Sequence, residues 1–132
     1  VRIGHGVRIA GNKEVIQLVK DKGVFLEMCP TSNRQTKAME EMSAYPLKAF
    51  LEMGLKVTVN TDDPAIERTT LSREFRYMES LLDLTQEQKR LLLLNSVEAA
   101  FTSRNRKCKL KEQLFSEPYE NYGEPIIYKR IK

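Results

Sequence analysis

The feature that most constrains this chain is an alternation repeated through its first sixty residues, in which short apolar runs give way to polar turns, amphipathic segments and then a glycine. Val24 to Pro30 has the length and composition of a largely buried strand, closed by its proline. Leu55 to Asn60 places Leu55, Val57 and Val59 in alternation before Thr61-Asp62-Asp63-Pro64 breaks it into a loop. Arg2-Ile3 reads as the end of an earlier strand. Between these runs, Asn12 to Lys22 carries Val15, Ile16 and Val19 at helical spacing and meets Gly23. Tyr45 to Met53 carries Leu47, Phe50 and Leu51 on one face after Pro46 and meets Gly54. Strands separated by helices, at about 20 to 30 residues per unit, need crossover connections and hence a parallel sheet. The expected class is α/β.

The rest of the chain changes character. Thr31 to Ala44 lacks clear periodicity and is expected to form an ordered loop with one turn of helix. Leu71, Phe75, Met78 and Leu82 fall on one face of a helix, and Thr85-x-x-Gln88 is a capping box that opens another, running to about residue 101. Leu91, Leu94, Ala100 and Phe101 are its inward candidates. From Thr102 the periodicity fades apart from Leu110 to Leu114, and Pro118, Gly123 and Pro125 suggest an irregular end. The expected division is a strand–helix unit over 1–115 followed by an irregular basic tail over 116–132.

Composition removes several function classes. With 132 residues the chain makes one globular unit at most, and no apolar run approaches the ~20 residues of a membrane span. A soluble protein is expected, without a membrane partner. No charged, apolar and small-residue succession opens the sequence, so no secretory signal is expected. Cys29 and Cys108 lack CxxC spacing, which speaks against a disulfide scaffold and a cysteine zinc site and favours a reducing cytoplasm. The net charge is +4, yet residues 1–101 balance 14 Lys and Arg against 14 Asp and Glu. The excess lies wholly in residues 102–132, and no aromatic-rich base-stacking motif accompanies it. A nucleic-acid partner is therefore not expected. Were the tail such a binder, its affinity would fall steeply with salt.

In parallel α/β folds, reactive side chains gather at the carboxyl ends of strands. Here those positions hold His5, then Cys29 to Asn33, then Asn60 to Asp63. His5 is the sole histidine, between Gly4 and Gly6, which let backbone approach the ring closely. A lone histidine also serves as a satisfied structural group. Adjacent carboxylates at Asp62 and Asp63 point in different directions, so one can face a metal or activated water while the other faces substrate. The other reading is an Asx-turn or capping role before Pro64. One histidine and no close cysteine pair leave the chain short of the three or four donors zinc takes.

Four stretches carry a resemblance: Arg2-Ile-Gly-His-Gly-Val-Arg8, Met28-Cys-Pro-Thr-Ser-Asn33, Val59-Asn-Thr-Asp-Asp-Pro64 and Asn95-Ser-Val-Glu-Ala-Ala-Phe101. In this order and spacing the sequence resembles the C-terminal part of an adenosine deaminase, in the adenosine/AMP deaminase group of the amidohydrolase superfamily, over about residues 1–115. The resemblance implies a (β/α)₈ TIM barrel, with this chain supplying about three strand–helix units plus terminal helices. It implies hydrolytic deamination of adenosine and 2′-deoxyadenosine by a zinc-activated hydroxide that attacks the purine at C6. By the same resemblance, His5 lies beside the hydroxide and orients it, Asp62 is a zinc ligand that also accepts a hydrogen bond from the hydroxide, and Asp63 binds purine N7. Cys29 and Ser32 belong at most to the pocket wall.

The family's His-x-His pair, later histidine and proton-shuttling glutamate are not found in this chain. The resemblance therefore implies an incomplete site, inactive alone, with zinc held partly by residues from elsewhere. An open three-stranded piece exposes a strand edge and apolar helix faces. The expected partners are a purine nucleoside and either the missing N-terminal part of the barrel or a second copy. Two alternatives accompany this reading: an adenine deaminase fragment, whose relatives share the Asp-Asp-Pro core, and a non-catalytic truncated binding or assembly fragment.

Overall fold

The structure is a computed structural model and describes residues 1–116. Three strands, β1 (Arg2–Gly4), β2 (Phe25–Met28) and β3 (Lys56–Val59), form a parallel sheet in the order β1-β2-β3. Gly4 lies beside Glu27 and Met28 beside Val59, so the strands finish almost level on one side of the sheet. Helix α1 (Lys13–Asp21) connects β1 to β2, and α2 (Pro30–Gln35) and α3 (Leu47–Glu52) connect β2 to β3. Three further helices follow: α4 (Leu71–Leu82), α5 (Gln86–Ala99) and α6 (Arg104–Ser116). No described helix is long and apolar enough to cross a membrane.

Local chemistry accounts for these boundaries. The Asn12 side chain accepts from the Val15 amide at 3.1 Å and opens α1. Thr85 accepts from the Gln88 amide at 3.1 Å while Gln88 returns the bond to the Thr85 amide at 3.0 Å, closing the expected capping box. Leu26 and Met28 of β2, Val57 and Val59 of β3, Leu47 and Phe50 of α3, Met78 of α4 and Leu92 of α5 make one buried core. Burial of such side chains, at ~25 cal/mol per Å² of apolar surface, is the main force holding the helices to the sheet.

Several expectations need correction. The segment 31–44 holds more than one turn of helix: α2 starts at Pro30, whose fixed φ suits a first helical position, and a 3₁₀ turn follows at Met42–Ala44. Leu71 is exposed, and Glu74 takes the buried place on the first turn of α4. In α5 the buried residues are Leu92, Asn95 and Ala99, whereas Leu91 is 42% and Phe101 85% exposed, and Leu94 and Ala100 are half-buried. The run Leu91-Leu92-Leu93-Leu94 satisfies several helical phases, so its pattern does not select one. The phase is set by Asn95, whose amide donates to the Val57 carbonyl at 2.9 Å. Phe101 lies beyond the helix and packs against the Arg2 guanidinium, 3.6 Å from the ring centre.

The fading periodicity after Thr102 conceals α6. Its Arg, Lys, Leu, Glu and Gln residues are good helix formers. Its contact stripe is Lys107, Leu110, Lys111 and Leu114, all half-buried, with both lysines reaching Glu98 of α5. The Lys111 hydrogen bond holds the Glu98 carboxyl below its ordinary value. Half of that stripe is charged, so it does not read as apolar. Past Ser116, the tail expected over 116–132 lies outside the described residues.

Leu92→Ala should therefore cost about 2–5 kcal/mol in denaturant unfolding, and Leu91→Ala no more than about 0.5 kcal/mol. The reverse order would contradict the observed phase of α5.

Candidate active site

Because the three strands are parallel and in register, the residues that follow them meet on one side of the sheet. His5 follows β1, its amide donating to the Glu27 carbonyl at 2.8 Å, and Asp62 comes three residues after β3. Both have left-handed backbones, with φ of 59° and 61°. Side chains other than glycine rarely adopt this conformation, and it concentrates at functional sites where surrounding structure holds it in place. Gly6 turns the chain at φ 72°, and a Cβ there would lie 2.8 Å from Leu26 Cδ2, so only glycine fits beside the core.

These turns bring His5 Nε2 to 3.7 Å from Asp62 Oδ2. Consecutive buried residues of α2 hold the two side chains. Ser32 Oγ donates to Asp62 Oδ2 at 2.7 Å, and Asn33 Nδ2 lies 3.0 Å from His5 Nδ1. The Tyr45 hydroxyl, also buried, donates to Asn33 Oδ1 at 2.8 Å. Burial first, and then nearby Cys29 and Glu74, push the Tyr45 phenol above its ordinary pKa and keep it a donor.

The start of α2 is itself anchored. Glu74 of α4, with 0% exposure, accepts from the Thr31 amide at 3.0 Å and from the Thr69 hydroxyl. Two bonds at one buried carboxylate satisfy charge that would otherwise be costly to bury. Ser32 thus does more than line a wall. Asn33, Tyr45 and Glu74 had no expected role, although Asn33 lies next to Ser32 at a strand end where buried polar groups must find partners.

Asp63 takes a different position. Its Oδ1 accepts from the Ile66 amide at 3.3 Å and its carbonyl from the Glu67 amide at 2.9 Å, which is the turn-capping arrangement. Asp63 is exposed and lies outside the two clefts at the strand ends. One cleft, of about 420 Å³, is bounded by Gly4, His5, Val7, Arg8, Asn33 and Asp62 among others. The other, of about 480 Å³, shares His5 and Asp62 and adds Glu27, Cys29, Asn60 and Ser96. The His5–Asp62 pair is thus common to both.

His5, Cys29 and Asp62 each offer one ligand atom, all within 4.8 Å of one another. The Cys29 thiol donates to the Glu27 carbonyl at 3.3 Å. Burial, followed by the charges of Asp62, Glu74 and Glu27, pushes that thiol up to about 12. These surroundings favour the protonated thiol in the metal-free site. Asp62 is the carboxylate donor of the group.

A family model described as Adenosine deaminase matches residues 1–117. An adenosine deaminase of Clostridium botulinum (strain Okra / Type B1) is 46% identical over 110 residues, which is 83% of this chain and 33% of its relative. An adenine deaminase structure from Arthrobacter aurescens is 32% identical with a TM-score of 0.82, over 86% of this chain and 35% of that one. A zinc-containing amidohydrolase structure from Burkholderia ambifaria, 22% identical, shares the fold with a TM-score of 0.78 over 92% of this chain and 34% of that one. The chain spans about a third of the length of the curated relatives it matches. Its strand–helix units correspond to part of the TIM barrel of these deaminases.

Two outcomes follow from this geometry. Glu74→Ala should destabilise the protein by about 2–4 kcal/mol, because two buried donors lose their acceptor; unfolding within about 0.5 kcal/mol of the parent would show that Glu74 does not anchor α2. Thiol alkylation followed by mass spectrometry should label exposed Cys108 quickly and Cys29 slowly. The raised Cys29 pKa favours the folded state fully below the unfolded value of about 8.5, and that stabilisation is lost as pH climbs from there toward about 12. Equal labelling at pH 8 would contradict the buried, neutral thiol.

Proposed function

The chain belongs to the adenosine deaminase family, and we propose that it is the C-terminal third of an enzyme that hydrolyses adenosine and 2′-deoxyadenosine to the inosine product and ammonia. The observation that carries this reading is the 3.7 Å approach of His5 to Asp62 at the strand ends, each side chain held by a buried residue of α2. Relatives named adenosine deaminase at 39–46% identity favour the nucleoside as substrate, against 32% for the adenine deaminase. Adenine is the competing substrate.

Whether the residues fit zinc turns on their donors. Asp62 fits as one ligand: it offers a carboxylate that is solvent-accessible and fixed through one oxygen by Ser32. Cys29 is buried with its thiol turned to the Glu27 carbonyl, and His5 is the only histidine here. The remaining donors must therefore come from outside the chain. When bound, zinc lowers the pKa of a water so that hydroxide is present near neutral pH. Asp62 would hold the metal and accept a hydrogen bond from the attacking oxygen. His5 would orient that oxygen toward purine C6 and meet the negative charge as the ring is attacked. Asp63, whose carboxylate caps the turn at Ile66 outside both clefts, would have to leave that turn to bind purine N7, a contact in which one partner carries a proton. Water adds at C6, the C6–N bond breaks, and the amino group leaves as ammonia.

The partner in this reading is the polypeptide that completes the barrel. Among the described residues, β1 and β3 each lack a neighbour on one side, and Val1, Ile3, Ile66 and Leu71 are exposed apolar side chains. The free thiols Cys29 and Cys108 favour the cytoplasm as its location.

The assembled, zinc-loaded protein should turn over adenosine faster than adenine, and Asp62→Asn should lower kcat/KM by about 10²–10⁴-fold. The 132-residue chain alone should show no turnover with added zinc. Turnover by the chain alone would defeat the claim of incompleteness, and full activity of Asp62→Asn would defeat the assignment of Asp62.

A further inference from the structure

We propose that Asn33, aimed by Tyr45, is a positioning residue that fixes which ring nitrogen of His5 carries its proton. The inference rests on the reading of His5 given above and deepens it: it decides whether His5 meets the attacking oxygen as a hydrogen-bond donor or as a base.

The argument starts at a buried hydroxyl. Among the described residues, the Tyr45 O–H has one hydrogen-bond acceptor, Asn33 Oδ1 at 2.8 Å. A side-chain amide can turn over and exchange its oxygen and nitrogen unless a neighbour distinguishes them. Here Tyr45 does. With the amide turned over, the phenol could still accept from the Asn33 nitrogen, but its own proton would be left in the interior without an acceptor. The amide is therefore held with its oxygen toward Tyr45 and its nitrogen toward His5.

The second half concerns the ring. Asn33 Nδ2 lies 3.0 Å from His5 Nδ1, and an amide nitrogen only donates. Nδ1 is thus the acceptor and carries no proton. The proton of the neutral ring is on Nε2, the nitrogen that lies 3.7 Å from Asp62 Oδ2, in a residue that borders both clefts. The left-handed backbone at His5, with φ 59°, and the buried amide together fix the ring's direction. His5 therefore presents an N–H at the strand ends. It orients the attacking oxygen and meets developing charge, and it has no vacant nitrogen with which to take a proton from it.

Asn33→Asp and Tyr45→Phe test this in different ways. A carboxylate at position 33 accepts where the amide donated, so it draws a proton onto Nδ1. Tyr45→Phe keeps the ring but removes the hydroxyl that distinguishes the two ends of the amide, so either tautomer is allowed.

Nitrogen-15 NMR of the full 132-residue chain reads the outcome directly, because His5 is its only histidine. The expected parent spectrum has an unprotonated Nδ1 and a protonated Nε2, Asn33→Asp has a protonated Nδ1, and Tyr45→Phe has averaged shifts. In the assembled enzyme, Asn33→Ala should lower kcat about 10–100-fold with little change in KM, a magnitude in line with losses from groups that orient a ligand through its other nitrogen. A protonated Nδ1 in the parent, or ring shifts that neither variant moves, would overturn the inference, as would a parent ring behaving like that of free histidine. If Asn33→Ala fails to fold, Tyr45→Phe still decides the question. Absence of adenosine turnover by the parent enzyme would count against the proposed function alone, since the ring spectrum is read without catalysis.

Discussion

Two neighbouring residues at the start of a short helix hold the site together: Ser32 bonded to Asp62 and Asn33 bonded to His5. Neither acceptor side chain is deeply buried, and both sit on left-handed backbone, so neither would keep a single direction unaided. The helix supplies that direction because its own start is pinned, through the Thr31 amide, to the buried carboxylate of Glu74. A parallel sheet whose strands end level provides the frame, α2 provides the grip, and α4 holds α2 in place. Side chains locked by packing and by a second layer of hydrogen bonds are what a preorganised site requires.

Much of this was legible in the sequence, and the legible parts share a physical cause. Strand β2 announced itself as a nearly continuous apolar run, and β3 through the alternation of Leu55, Val57 and Val59. Helix α5 announced its start because the Thr85–Gln88 box is a local interaction. His5 and Asp62 stood out through their places after strands. What stayed hidden depended on tertiary contacts. Four successive leucines do not reveal which one faces β3 until Asn95 bonds to Val57. Helix α6 docks through lysine stems and Glu98, and no apolar pattern records such a stripe. Glu74 lies 43 residues from Thr31, so nothing local connects them.

The described residues form a consistent piece of a larger architecture. Cores of this kind are normally closed by neighbours on both edges of the sheet, and here both outer strands face outward while large apolar side chains remain exposed around them. Charge follows the same pattern. In the proposed reading Asp62 is a ligand with His5 as its neighbour, while the buried thiol of Cys29 turns to the Glu27 carbonyl. In the proposed reading the chain would contribute one end of a metal site and the device that orients it, and a completing polypeptide the rest.

The central claim is that His5 and Asp62 act as one unit on a single attacking oxygen. A double-mutant cycle on kcat/KM, using His5→Ala, Asp62→Asn and the pair in the assembled enzyme, tests it most directly. Groups that work together lose function non-additively, so the double variant should be scarcely worse than the poorer single variant. Losses that multiply independently would show that the two residues serve separate roles, and their closeness would then carry no mechanistic meaning.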